Sequence, residues 1–360
     1  MNQQQGPARA EGRIAWLDLG RGISILLVVL YHVAVGSGTA LWALPEGPVA
    51  RIWREANLAL VPLRMPLFFL IAGLLAARAV RRPLRAVLRP RLLDLLWPYL
   101  LWSLLFWATG WLRYAPGEPL GFLRQEILGL LQLASPYWFI GVLPIFFLLG
   151  RWGQGRPRLL LSVALLFHLL APAGQQLLRE AGHSDLAYGI FQLTDNALWY
   201  LLGLVLHRQI RALAEGTRRR AALLGGTGLV GLFVLLALLL VLPGKVPAWP
   251  VVRGIELAAS LAGLTAAVLL LPLLARSRGL RAFGALLGRR TLVIYLVHPI
   301  VLNLVVLLWR QGGLAAQLAH PLVDLLLVPT VSAVAIITAL GVEAMVQRTG
   351  PRWLLQAPGI

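Results

Sequence analysis

Residues 13–33 read "RIAWLDLGRGISILLVVLYHV", with mixed charge at the start and then an almost unbroken apolar run. A run of about twenty apolar residues spans a bilayer as a helix. Asp18 and Arg21 stand at its mouth, and His32 lies well inside it. A charge in hydrocarbon costs roughly 3 kcal/mol on insertion scales, so such groups take partners or a watery cavity.

Runs of the same kind recur from end to end. The chain has 360 residues, 59% hydrophobic and only 13% charged, which is too apolar for an ordinary soluble protein. The fold class expected is all-α, a polytopic membrane protein with about ten transmembrane helices. The expected spans are 14–35, 56–77, 92–111, 136–150, 159–171, 187–207, 221–242, 251–274, 283–309 and 321–346. The fourth and fifth are short for a bilayer. Residues 120–134 mix charges with leucines and read as an amphipathic or re-entrant helix. The expected organisation is a cytoplasmic tail 1–12, a membrane domain 13–347 and a cytoplasmic tail 348–360. The N-terminus lacks the signal-peptide pattern.

Charge tests the count. Of the 33 Lys and Arg residues, 23 fall on one side of these spans and eight on the other, with Arg21 and Arg64 in or at spans. Basic loops face the cytoplasm, so both termini are expected inside, in the cell's inner (plasma) membrane. The net charge of +19 is thereby explained by orientation, and no nucleic-acid partner is expected. The absence of cysteine excludes disulfides, thiolate metal sites and cysteine nucleophiles. No metal site is expected.

Arg21 and His32 are eleven residues apart, so they differ by only ~20° around the helix and ~16 Å along it. Asp18, three residues before Arg21, shares nearly the same face. One reading is an interfacial Asp18–Arg21 ion pair plus a histidine bonded to a neighbouring backbone. The other is chemical: a guanidinium suits a phosphate, and an imidazole accepts a proton near neutral pH. The gap is comparable to an extended pantetheine arm, so a coenzyme A thioester entering from the cytoplasm places its phosphates near Arg21 and its acyl group near His32. Glu256 is expected to pair with Arg253 and Glu343 with Arg348, and His168 reads as structural.

The stretch "WLDLGRGISILLVVLYH" (16–32) resembles the opening of the acyltransferase-3 family of membrane O-acyltransferases, which pairs an Arg and a His in its first span. "LRMPLFFLIAGLL" (63–75), "YWFIGVLPIFFLL" (137–149) and "TLVIYLVHPIVL" (291–302) resemble three further family segments, in the expected order. The family's Ser-Gly after the aromatic pair is Ala72-Gly73 here. Its cytoplasmic Arg-x-x-Arg pair aligns with Arg91 and Asp94, while Arg82 and Arg85 carry the right spacing earlier in the loop. The chain looks most like the small stand-alone branch, without a periplasmic hydrolase-like domain.

The resemblance implies transfer of an acyl group, usually acetyl, from cytoplasmic acyl-CoA to a hydroxyl of a sugar, glycan or lipid-linked acceptor. Acyl-CoA is then a co-substrate, and no cofactor is expected. His32 acts as base, or as an acylated intermediate; Asp18 orients Arg21 or the substrate. Arg82, Arg85 and Arg91 are the expected phosphate contacts. Asp195, beside Asn196, lines the acceptor path, and Tyr295 and His298 are i,i+3 neighbours able to face one cavity. Two other classes fit the same residues: a proton-coupled transporter or exporter, and a non-catalytic membrane scaffold.

Overall fold

A computed structural model describes residues 14–114, 117–241, 248–313, 317–318 and 320–358. The tail 1–12, and with it Arg9, as well as Arg13 and Lys245 of the charge count, lie outside the described residues. The described chain is helical, with no strand among it. In hydrocarbon every backbone polar group must be satisfied internally, and a helix does so within one segment.

In chain order the helices are α1 (Ala15–Ala34), α2 (Pro48–Ala59), α3 (Val61–Ala76) and α4 (Leu84–Leu88). A π-helical turn, Arg89–Leu93, joins α4 to α5 (Asp94–Tyr114). Then come α6 (Pro119–Leu131), α7 (Trp138–Trp152), α8 (Pro157–Glu180), α9 (Ser184–Val205) and α10 (His207–Gly216). The remainder are α11 (Arg219–Val241), α12 (Trp249–Leu274), α13 (Arg278–Gly288), α14 (Thr291–Gln311) and α15 (Pro321–Thr349). Proline opens α2, α3, α6, α8, α12 and α15, where its missing N–H costs nothing. Gly350, with φ at +89°, ends α15, the left-handed cap that glycine adopts without a Cβ penalty.

Among the described residues, seven stretches are long and apolar enough to cross a membrane, and two bent pairs, α2–α3 at 42° and α9–α10 at 68°, bring the number to nine. Helix α7, with 15 residues, is the fourth expected span and completes the set of ten. It stays short because protein surrounds it: Phe139, Ile140, Val142, Phe146 and Phe147 are all buried. The fifth expected span is longer than its apolar core, since α8 runs on to Glu180 through Pro172. The ninth, 283–309, is divided: α13 ends before Arg289 and α14 begins at Thr291.

Helix α1 sits among α3, α12, α13, α14 and α15. Small residues let backbones close up. A Cβ on Gly288 would stand 1.9 Å from the Asp18 carbonyl oxygen, and one on Gly284 2.6 Å from Leu19 Cα. On α3 and α9, a Cβ on Gly73 would meet the Tyr200 carbonyl oxygen at 2.0 Å and one on Gly203 that of Leu70 at 2.1 Å. Such small-residue contacts replace the hydrophobic drive that lipid removes. The outer faces of α8 and α11 expose Leu166, Phe167, Leu224 and Leu235, as a lipid-facing surface should.

The arginine-rich turns gather at one end. Arg91 donates to the Leu75 carbonyl at 3.2 Å, and Arg151 to those of Val80 at 2.9 Å and Arg82 at 2.7 Å. The C-terminal residues are fastened to the same end. Trp97 and Trp102 donate their indole N–H groups to the Trp353 and Leu354 carbonyls, both at 2.7 Å, and Asp94 accepts the Ala357 N–H at 3.1 Å. Residues 352–357 are thus docked. A reporter active only outside the cytoplasm, fused after Ile360, is expected to stay silent; strong signal there would reverse the orientation.

Candidate active site

The first helix carries the stripe that its spacing suggests. Near its N-terminal end Arg21 donates to Thr291 Oγ1 at 2.6 Å, the first residue of α14. Asp18 lies 3.8 Å from Arg289 Nε. The close backbone approach at Gly288 brings the next residue, Arg289, onto the Asp18 carboxylate.

Two cavities meet at the centre of the bundle. The first, about 430 Å³, is lined by Arg21, Arg91, Thr291 and Tyr200, with Phe139 and Tyr295 at its inner wall. The second, about 750 Å³, holds His32, Arg64, Asp195 and Asn196, and the same Phe139 and Tyr295 line it. Arg21 and His32 therefore face different chambers that share a two-residue wall. Both volumes are of the size that holds small-molecule ligands. Ala72 lines the Arg21 cavity, so the missing hydroxyl falls there, while Gly73 serves the approach to α9 described above.

The histidine geometry fixes a tautomer. His32 Nδ1 lies 2.8 Å from the Val28 carbonyl oxygen. A carbonyl only accepts, so Nδ1 carries the hydrogen and the neutral ring keeps its Nε2 lone pair. His298 repeats the pattern with the Ile294 carbonyl at 3.0 Å, and its Nε2 is buried with no partner. The two rings lie 5.1 Å apart, centroid to centroid. His298 thus stands beside His32 and lines neither cavity.

The other sequence candidates divide. Arg91 lines the Arg21 cavity. Arg82 and Arg85 are exposed and line neither cavity; the Arg82 carbonyl is engaged by Arg151 instead. The Tyr295 hydroxyl is fully used, donating to the Pro136 carbonyl at 3.0 Å and accepting the Phe139 N–H at 3.2 Å. Tyr295 lines both cavities. Glu343 pairs with Arg290, not with Arg348, because α14 and α15 pack side by side.

Asp195 belongs to a buried network. Arg253 donates to its carboxylate, to Glu256 at 2.9 Å and to the His168 carbonyl at 2.6 Å. His168 donates from Nδ1 to the Asp195 carbonyl at 2.8 Å. The Arg253–Glu256 pair was legible from i,i+3 spacing. His168 and Arg253 were missed as part of the site, since they are 85 residues apart and carry no local signal.

A family model described as an acyltransferase domain matches residues 14–342. This chain belongs to the acyltransferase-3 family. It is also similar to the nodulation protein NolL of Mesorhizobium japonicum, 30% identical over 151 residues, or 40% of this chain. That match covers 37% of the relative's own length. No solved structure matches.

The network yields a stability test. Asp195→Asn removes one of the two carboxylates that compensate a buried guanidinium, a loss worth about 3 kcal/mol or more. The purified variant is expected to melt at lower temperature than the parent, and Asp195→Asn combined with Arg253→Met to recover most of the difference. A single variant with an unchanged Tm would remove the network from the fold's support.

Proposed function

We propose that this protein transfers an acyl group, acetyl being the family's usual one, from cytoplasmic acyl-CoA to a hydroxyl of a sugar, glycan or lipid-linked acceptor. The setting is the cell's plasma membrane, with both termini inside. The observation that carries this reading is the pair of chambers meeting at Phe139 and Tyr295, with Arg21 on one and His32 on the other.

In this reading the coenzyme's phosphates rest near Arg21 and Arg91, whose guanidinium groups suit phosphate oxygens. The pantetheine arm passes the Phe139–Tyr295 wall and brings the thioester to His32. The acceptor occupies the His32 cavity, where Trp138, Trp199 and Trp249 offer ring faces and Gln192 and Asn196 offer amides. His32 Nε2 takes the proton of the acceptor hydroxyl as the oxygen attacks the thioester carbonyl. The carbon–sulfur bond then breaks, and the imidazolium returns its proton to the departing thiolate. The products are an ester and free coenzyme A, and the histidine ends as it began.

His32→Gln keeps hydrogen-bonding capacity but has no basic nitrogen. It is expected to insert, fold and bind acyl-CoA, while transfer per folded molecule falls by ~10²–10⁴. Near-normal turnover in well-folded His32→Gln protein would return this residue to packing.

Arg21→Lys keeps the charge and loses the planar fork, so acyl-CoA affinity is expected to drop. Equal affinity of variant and parent, read by equilibrium binding, would remove Arg21 from the donor site.

A further inference from the structure

Arg64 is the one arginine in the first turn of α3, and it lines the His32 cavity. Its residue is only 5% exposed. Its guanidinium carbon sits 3.8 Å above the centre of the Tyr31 ring. Nη1 is buried and makes no hydrogen bond, and among the described residues no carboxylate pairs with this side chain. The other arginine of the cavity, Arg253, is compensated by both Asp195 and Glu256. A permanently charged fork is thus held by an aromatic face in a low-dielectric interior with its donors unused. Burying such a charge without an anion is costly.

We propose that Arg64, seated on Tyr31, is an anion-binding subsite for the acceptor. This rests on the reading that the His32 cavity takes the hydroxyl substrate, and it narrows that substrate to one bearing a carboxylate or phosphate. Tyr31 precedes His32 on α1, so the subsite adjoins the histidine and orients the acceptor relative to it. A ground-state anion fits better than a transient oxyanion, because only a group present throughout binding offsets a permanent charge. The guanidinium fork matches either oxyanion through two parallel N–H donors.

The test is binding, read without acyl-CoA, so a loss of transfer activity leaves it standing. The full chain in phosphatidylcholine nanodiscs is titrated calorimetrically with methyl glucuronide, glucose 6-phosphate and neutral methyl glucoside. The parent is expected to prefer at least one of the acidic sugars by about tenfold or more over the glucoside. Arg64→Gln is expected to erase that preference, Arg64→Lys to keep part of it, and His32→Gln to keep it whole. Equal binding of all three sugars by the parent, or no binding, would overturn the proposal without any variant. So would a preference that survives in Arg64→Gln. Repeating the parent titration in phosphatidylglycerol nanodiscs identifies the source of the anion. Arg64-dependent competition by the lipid assigns it to a lipid headgroup, and its absence to a soluble acidic acceptor; either result keeps the subsite.

Discussion

Two tyrosine hydroxyls clamp the middle of the bundle. Tyr137, just before α7, donates to the Leu296 carbonyl at 2.9 Å, and Tyr295 on α14 returns the bond to the Pro136 carbonyl. The Phe139 N–H donates to the same Tyr295 hydroxyl. Buried hydroxyls and helix-end amides are costly when left unmade, and here each satisfies another across two helices. The consequence is positional. Phe139 and Tyr295 are held where the two cavities meet, and the turn of α14 that follows presents His298 to His32. Loss of this clamp would loosen that junction and the imidazole pair together.

Away from that junction, several charges hold the fold by pairing across helices. Asp324, fully buried, accepts the Ala43 and Leu44 N–H groups at 2.9 and 3.0 Å and ties the loop after α1 to α15. Arg290 and Glu343 join α14 to α15, and Arg253 gathers α8, α9 and α12. Others line the two chambers: Arg21, Arg91, His32 and Arg64, and with them Asp195, Arg253 and Glu256 of the buried network. Hydrocarbon tolerates a charge only with a partner or water, and Arg64 lines its chamber with no carboxylate partner among the described residues.

The same need for partners explains what sequence reading reaches. Spans such as α1, α11 and α12 are legible because bilayer thickness sets their length and composition together. Helix α7 is legible as apolar but not as short, since its neighbours replace lipid. The break at 289–290 was hidden by continuous hydrophobicity on either side; it exists because α13 must lie against α1 at Gly284 and Gly288. Within the site, the Arg21–His32 stripe was readable because both residues ride one helix, whose geometry is local. The His32–His298 contact, the Tyr31–Arg64 stack and the His168–Arg253 link join separate helices. No spacing along the chain encodes them. Asp18 shows the same limit: its face was legible, and its partner was supplied by another helix.

In the proposed site Arg21 and His32 ride one helix. The separation of Arg21 from His32 is set by helical rise, ~16 Å for eleven residues, and close packing against α13 leaves α1 little room to slide. In the proposed reaction that separation measures the donor: phosphates at one mark, thioester at the other. The acceptor chamber has no such ruler. Beyond Tyr31 and His32 of α1 and Tyr295 of α14, its walls come from α3, α7, α8, α9 and α12, whose side chains change without altering the rise of α1. In that proposal a donor class is encoded in the local spacing of the first span, where a family motif is visible. The acceptor is encoded in tertiary detail, and Arg64 on the Tyr31 ring is the part of that detail with an uncompensated charge.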